Sequence, residues 1–442
     1  MTSPGSSSAS LDPGTRRMLL RFAPMIYGPT LLFGLGEGAL LPLLPVIAAA
    51  QGASVAQAAL IASVIVVARM IGNLPAGWIV TRIGERYTMA IAGVLALAGG
   101  FGILFAPNLA VLAVAVFGIG LCASAFGLAR HAFMTTRVPL AYRARALSVL
   151  GGSFRLGMFV GPFVSAVLLT VFGGESATVW FFIAMLAALI LLVLVGRDPE
   201  EELRSEGALP TDKRPRIEDD VADDTGESTT GSIPLPEERG VFRTMWQFRG
   251  VLARLGLTTA TLSAVRQARV YLLPLWGVSL MLDAEAIALI VGITGALEFA
   301  LFYTSGQVMD RWGRVWAAVP SMVLMGGAFA GLAFTHNLSG AIGWFIVAAV
   351  IVGIGNGVSS GILMTIGADV APPDNPAPFL GSWRLLTDAG GAASPLLIAG
   401  VTALASLPVA TAVIGAIGLF GAIGFWRFVP RYIPHPPQPK RR

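Results

Sequence analysis

The sequence predicts an all-α integral membrane protein of twelve transmembrane helices, arranged as two pseudo-symmetric six-helix bundles. Three observations predict it. The 442 residues are 55% hydrophobic and only 12% charged, with a mean hydropathy of +0.75, whereas a soluble domain averages about 45–50% apolar and about 25% charged. Apolar runs long enough to span a bilayer, about 20 residues each, recur along the chain. Distinctive residues also recur at one constant spacing.

Twelve apolar runs qualify, at 20–47, 55–80, 88–106, 109–136, 145–172, 177–196, 251–281, 286–309, 316–335, 339–368, 379–404 and 407–429. Each is expected to be a helix, because an open strand or an irregular segment leaves backbone groups unsatisfied in lipid. The abundance of glycine, 53 residues, suits helices that pack closely in a membrane. Residues 1–19 are polar, show no cleavable leader pattern and read as a disordered N-terminus. The 197–250 stretch is acidic and rich in Pro, Ser and Thr, and it reads as a linker between a 20–196 bundle and a 251–429 bundle. A basic tail, 430–442, follows.

Charge placement sets the orientation. The sequence pI near 9.8 could suggest nucleic acid, but the arginines sit in short segments between apolar runs. Arg16, Arg17, Arg82, Arg86, Arg137, Arg143, Arg145, Arg311, Arg314, Arg427 and Arg431 all fall on one side of the twelve spans. Loops on the other side carry Glu175, Asp283 and Glu285 and no Lys or Arg. The positive-inside rule then makes both termini and the linker cytoplasmic, in a multi-pass protein of the cell membrane.

The repeat is visible in "AGWIVTRIGERY" (76–87) and "SGQVMDRWGRVW" (305–316). Gly77 aligns with Gly306, Arg82 with Arg311 and Gly84 with Gly313, each pair 229 apart (306 − 77). The same offset pairs Pro45 with Pro274, and "GSFR" (152–155) with "GSWR" (381–384). The chain is therefore a tandem duplication of a six-span unit, and an even number of spans keeps both copies in one orientation.

Twelve spans, a long central loop and a Gly-xxx-Asp-Arg-x-Gly-Arg turn after the second span of each half resemble the major facilitator superfamily, across the whole membrane portion. The resemblance implies a cytoplasmic gate latch at Gly77, Arg82, Gly84 and Arg86, and at Gly306, Asp310, Arg311, Gly313 and Arg314. The second copy matches fully. In the first, Thr81 replaces the Asp and Glu85 replaces a basic residue. Read as physics alone, the glycines allow a tight turn, and Asp310 can accept from a neighbouring Arg or helix N-terminus; the simpler reading is that the arginines only anchor the topology. Gly157, Gly161 and Pro162 in the fifth span resemble the core of the antiporter motif of the drug/proton branch, with Ser165 and Ala166 in place of its closing glycines. Close helix packing explains the same residues. That branch usually carries an Arg in the fourth span; taking Gly118 as the motif glycine, Val114 stands there.

Ionisable groups within spans cost about 2.5–3.5 kcal/mol each on insertion scales and are functional candidates by default. They are Glu37, Arg69, Arg130 and Arg155 in the first half, and Arg266, Arg269, Glu298, Arg384 and Asp388 in the second. Arg69, Arg155, Glu298 and Asp388 each lie about 15 Å along their helices, near the midplane. The 229 offset places Glu37 opposite Arg266 and Arg69 opposite Glu298 in kind. In the family the second span faces the eleventh and the fifth faces the eighth, which implies the pairs Arg69–Asp388 and Arg155–Glu298, with Glu37 facing Arg266 and Arg269. These pairs either cancel insertion cost or break as the halves move. Glu37, and with it Glu298 and Asp388, are the candidates for proton coupling, because desolvation disfavours a carboxylate and a nearby guanidinium favours it, so moving the guanidinium moves the proton affinity. The six arginines exceed the three acids; the surplus suits an anionic substrate group or simple anchoring at a membrane face.

Other signals carry less. Lys213 and Lys440 are each followed by Arg, so the chain has no Gly-Lys-Ser/Thr phosphate loop and no ATP site of that kind. "GVSSG" (357–361) fits a nucleophile elbow only in letters, because it falls within an apolar helix. "GIGLCA" (118–123) lacks a βαβ unit around it. His131, His336 and His435 are scattered, and Cys122 is alone, so neither metal nor disulfide is expected. His131 reads as a packed or lining residue. The expectation is a non-enzymatic secondary transporter, by resemblance a proton-coupled efflux carrier of a small, fairly apolar compound. It would work in the lipid bilayer as a monomer, with a small-molecule substrate, protons, no cofactor and no nucleic acid. An organic-anion carrier is the alternative within transport, and a polytopic sensor or scaffold the alternative outside it.

Overall fold

The computed structural model describes residues 26–137, 140–196, 245–372 and 376–433. The 1–19 stretch, most of the 197–250 linker and most of the 430–442 tail lie outside the described residues.

Among the described residues every element is helical. The spans are α1 (Gly28–Ala50), α2 (Val55–Ile83), α3 (Glu85–Leu104), α4 (Leu109–Arg137), α5 (Leu140–Phe172) and α6 (Ser176–Val195) in the first half. The second half has α7 (Leu257–Ser279), α8 (Ala284–Trp312), α9 (Arg314–Leu332), α10 (Ala341–Val370), α11 (Pro376–Leu404) and α12 (Leu407–Tyr432). Eleven are long and apolar enough to cross a membrane. The other is α7, which carries Arg266, Gln267 and Arg269 beside a run of Ser and Thr.

Two spans are interrupted, each for a local reason. In α1, Pro42 and Pro45 lack N–H donors, and Leu41–Leu43 tightens into a 3-10 turn. In α10, the helix stops at Val358 and resumes at Ile362, with Gly361 at φ +82°, a left-handed conformation that glycine adopts without penalty. The expectation of a continuous helix through "GVSSG" is therefore corrected.

The duplication is repeated in the packing. In the first half α1 packs on α5, α2 on α4, and α3 on α6; in the second, α7 packs on α11, α8 on α10, and α9 on α12. Glycines set the closest of these contacts. A Cβ on Gly157 would lie 2.6 Å from the Leu31 carbonyl oxygen, and one on Gly161 would lie 2.5 Å from the Ala39 nitrogen. The fifth-span glycines thus seat α5 against the Gly34–Gly38 face of α1, backbone on backbone. Large apolar side chains such as Leu60, Val114, Phe172, Leu404 and Phe420 are exposed, as a lipid-facing surface requires.

The halves meet mainly through α2 with α11 and α5 with α8, the facing pattern that the family resemblance implies. The Leu41–Ala50 stretch also packs on α7, Phe159 stacks on Phe299 with ring centres 5.3 Å apart, and Phe163 covers Gly292. These contacts lie on the side away from the glycine–arginine turns. Towards those turns Gly151, Gly152, Arg155, Arg384 and Asp388 are exposed, so the space between the halves opens at that end.

Candidate substrate site between the two halves

The site is a layer of charge between the halves, supported by the helices just described. A cavity of about 600 Å³ lies between α1, α5, α7 and α8. Arg155, Arg269 and Glu298 give it charge, and Met158, Phe159 and Phe299 give it apolar wall. Its size falls within the usual range for small-molecule pockets.

Glu37 is 4% exposed and forms an ion pair with Arg69 of α2. The expected partners, Arg266 and Arg269 for Glu37 and Asp388 for Arg69, are not those found. A carboxylate this deeply buried needs a cation within reach, and Arg69 of the same half supplies it. Asp388 needs none, because its side chain is 70% exposed; its neighbour is Arg384, one turn away on α11 at 3.6 Å. Glu298 binds Arg269 of α7 at 2.8 Å, and Arg155 lines the same cavity. Arg155, Arg266, Arg269 and Glu298 lie within electrostatic range of one another.

Arg266 has a different task from the one expected. Its guanidinium donates to the Ser359 carbonyl oxygen and to Ser359 Oγ at 2.7 Å. That carbonyl sits where α10 is interrupted, and it also accepts from the Ile362 N–H across the break at 3.2 Å. Ser321 Oγ donates to Ser359 Oγ at 2.8 Å, and Ser305 Oγ donates to the Ser360 carbonyl at 2.8 Å. The break is thus held by α7, α8 and α9 together.

Arg130 of α4 lies over the Phe154 ring at 4.8 Å and near the Phe126 ring at 5.9 Å. Its Nε and Nη1 are buried and have no hydrogen-bond partner among the described residues. Arg69 lies within electrostatic range of it. His131 bonds the Gly127 carbonyl through Nδ1 at 2.8 Å and is half-buried, as a lining residue would be.

Tyr271 of α7 was not singled out from the sequence. It is 4% exposed and within electrostatic range of Arg69, which brings a second-half hydroxyl to a first-half cation. The available signal was its place on the same span as Arg266, Gln267 and Arg269. Ser359 was missed because its motif was weighed only as a nucleophile elbow.

The glycine–arginine turns are sharp and equivalent. Gly84 has φ +81° and Gly313 φ +94°, each ending one helix and starting the next. Arg86 donates to the carbonyls of Val193, Leu194 and Gly196 at the end of α6, at 3.0, 2.6 and 2.9 Å. Arg314 pairs with Asp369 at the end of α10 at 2.8 Å. Arg82 lies over its own neighbour Trp78, and Arg311 is exposed. These tethers join helices within one half. The side chain of Asp310 lies outside the described residues. A Cβ on Gly77 would meet only Leu128, at 3.8 Å, and one on Gly306 would meet nothing within 4 Å. Val114 is 71% exposed, so the position assigned to the fourth-span Arg faces outward.

The model of the Major Facilitator Superfamily matches residues 29–395. The chain belongs to that superfamily. No curated protein sequence matches it. Among solved structures it is similar to a POT family transporter in complex with a thioalcohol-conjugated peptide, at 14% identity and TM-score 0.68, over 94% of this chain and 96% of that one. It is similar to the human organic anion transporter MFSD10 (TETRAN), at 17% identity and TM-score 0.59, over 94% and 100%. A bacterial homologue of the human lysosomal transporter Spinster, inward-facing and unoccupied, matches at 14% identity and TM-score 0.65, over 96% and 98%. At these identities the likeness is one of fold. The family match and the eleven apolar spans make this a multi-pass membrane protein with the fold of a secondary transporter.

Proposed function

We propose that the chain carries a small organic anion across the cell membrane by alternating access, binding it between the halves near Arg130 and Arg69. The observation that carries this reading is Arg130, a buried guanidinium with no hydrogen-bond partner for two of its nitrogens among the described residues. An unpaired buried cation is costly, and an anionic substrate group would relieve that cost. The wider balance agrees: Arg69, Arg130, Arg155, Arg266, Arg269 and Arg384 outnumber Glu37, Glu298 and Asp388. The cavity's Met158, Phe159 and Phe299 suit an apolar body on the same substrate.

The proposal includes coupling to protons through Glu37. An anion that draws Arg69 towards itself leaves Glu37 without its cation, and the carboxylate's proton affinity changes as a result. Binding of anion and proton would then be linked. Rocking of the halves about the α2–α11 and α5–α8 contacts would close the open end and part Phe159 from Phe299. Because Arg82, Arg86, Arg311, Arg314, Arg427 and Arg431 gather at the open end, the proposal places that end and both termini in the cytoplasm.

A second reading, proton-coupled efflux of a small, fairly apolar compound, is favoured by the apolar share of the cavity wall. Proteoliposomes with a trapped pH dye separate the two. A proton gradient is imposed, and lipophilic cations, neutral compounds and organic anions are added in turn, with wild type beside Glu37→Gln. Proton movement only with organic anions, lost in Glu37→Gln, supports the anion reading. Proton release only with cations or neutral compounds supports the second.

A further inference from the structure

The strongest unassigned feature is a cleft of about 390 Å³ on the outer face of the second half, between α9 and α12 and near the glycine–arginine turns. Its walls are Val315, Trp316, Val319, Pro320, Trp426 and Pro430. Two matching segments build it: "WAAVP" (316–320) on α9 and "WRFVP" (426–430) on α12. Trp316 and Trp426 are 61% and 66% exposed, although the cleft beside them is apolar. We propose that this cleft holds an anionic phospholipid, with an acyl chain between the tryptophans and the headgroup phosphate on Arg427 and Arg431.

The chemistry of the rim selects that occupant. Arg427 and Arg431 follow Trp426 and Pro430 directly, about 100° round the helix from them, and both are exposed. Neither has a carboxylate partner among the described residues. Arg254, ahead of α7, donates to the Tyr432 hydroxyl at 3.4 Å and adds a third cation at the end of α12. Arg314, the other nearby cation, is already held by Asp369. The excess positive charge therefore lies on the α12 side of the cleft, where a phosphate would sit.

The prolines contribute acceptors. Pro320 and Pro430 lie inside their helices and have no N–H, so the carbonyls four residues earlier, Trp316 and Trp426, lose their usual helical donor. A headgroup with hydroxyl donors matches them, and glycerol supplies such hydroxyls. Tryptophan at the level of the headgroups places the cleft at the depth where an acyl chain meets its glycerol backbone. Phosphatidylglycerol combines all three elements: a phosphate, hydroxyl donors and an acyl chain. The proposal is independent of what the protein transports.

The test is lipid binding to the full-length, delipidated protein in detergent, read as lipid-bound mass species. Phosphatidylglycerol and phosphatidylcholine are titrated separately. Wild type is expected to bind phosphatidylglycerol about twenty-five-fold more tightly, because each of the two Arg near an anionic lipid is worth about a fivefold effect. Arg427→Gln/Arg431→Gln, at exposed positions that leave the fold intact, should abolish that preference. Trp316→Phe/Trp426→Phe should preserve the preference, and Trp316→Ala/Trp426→Ala should weaken binding of both lipids. Equal binding of the two lipids by wild type would overturn the proposal. So would a preference that survives the double Arg substitution, or displacement of bound lipid by soluble glycerol phosphate, which would mark a site for free anions.

Discussion

Glu37 and Arg69 form the most buried ion pair of the described charged layer, and they are unequally buried: the side chains are 5% and 35% exposed. Removing one member of a buried pair costs about 3–5 kcal/mol, because it strands the other. The stranded group decides the size of the loss. Arg69→Gln leaves a carboxylate that water barely reaches, whereas Glu37→Gln leaves a guanidinium that water partly solvates. Thermal unfolding of the purified variants should therefore rank Arg69→Gln as less stable than Glu37→Gln. The double Glu37→Gln/Arg69→Gln should recover part of the larger loss. Additive losses would mean that the two groups do not act as a pair. At this scale the sequence was only partly legible. It located every charged position of the layer but misassigned partners for Glu37, Arg69 and Arg266. Spacing fixes depth, whereas partner choice depends on helix rotation and side-chain reach. It depends also on the break in α10, which gave Arg266 a backbone carbonyl to bind.

At the scale of elements, glycine position separates packing from surface. Gly161 touches the backbone of α1, and a Cβ there has nowhere to go; in a packed core such an intrusion costs about 1–3 kcal/mol. Gly161→Ala should lower the unfolding temperature of the purified protein clearly. Gly118→Ala, where nothing lies within 4 Å, should leave it unchanged. Equal effects would contradict the α1–α5 backbone contact. Span positions were readable from apolar run length, and α4 and α12 begin at Leu109 and Leu407 as expected. The seventh span, expected at 251–281, is helical from Arg249 to Ser279; the π-helical turn within it, Leu252–Gly256, was not foreseen because hydropathy does not register a change of helix type. The interruption of α10 was hidden for a similar reason. Residues on both sides of Ser359 are apolar, and the left-handed turn at Gly361 leaves no mark on hydropathy.

At the scale of the whole molecule, the constant 229-residue offset foretold the duplicated packing, and the α2–α11 and α5–α8 contacts follow the facing pattern of the superfamily. The conformation was not legible, because either end of such a pair of bundles can be open with the same sequence. It is the Phe159–Phe299 stack and the exposure of Arg155, Arg384 and Asp388 that define it. In a Cys122→Ala background, Phe159→Cys and Phe299→Cys bridged by a short bifunctional thiol reagent should hold the halves together and stop the transport that the unbridged double variant retains; each single Cys, which also removes cavity wall, should lose none of its remaining transport on the same treatment. Continued transport by the bridged protein would exclude rocking about that contact.

The most direct test of the central claim, that Arg130, whose buried Nε and Nη1 have no hydrogen-bond partner among the described residues, receives an anion for transport, is counterflow in proteoliposomes. Labelled organic anions outside are exchanged against unlabelled anion inside, for wild type, Arg130→Gln and Arg130→Lys. The account predicts saturable exchange by wild type and an affinity weakened about thirtyfold or more in Arg130→Gln, as expected when one member of a desolvated charge pair is truncated. Arg130→Lys should fall between, because it keeps the charge and loses the planar fork. Exchange of anions that is indifferent to Arg130→Gln would contradict the account.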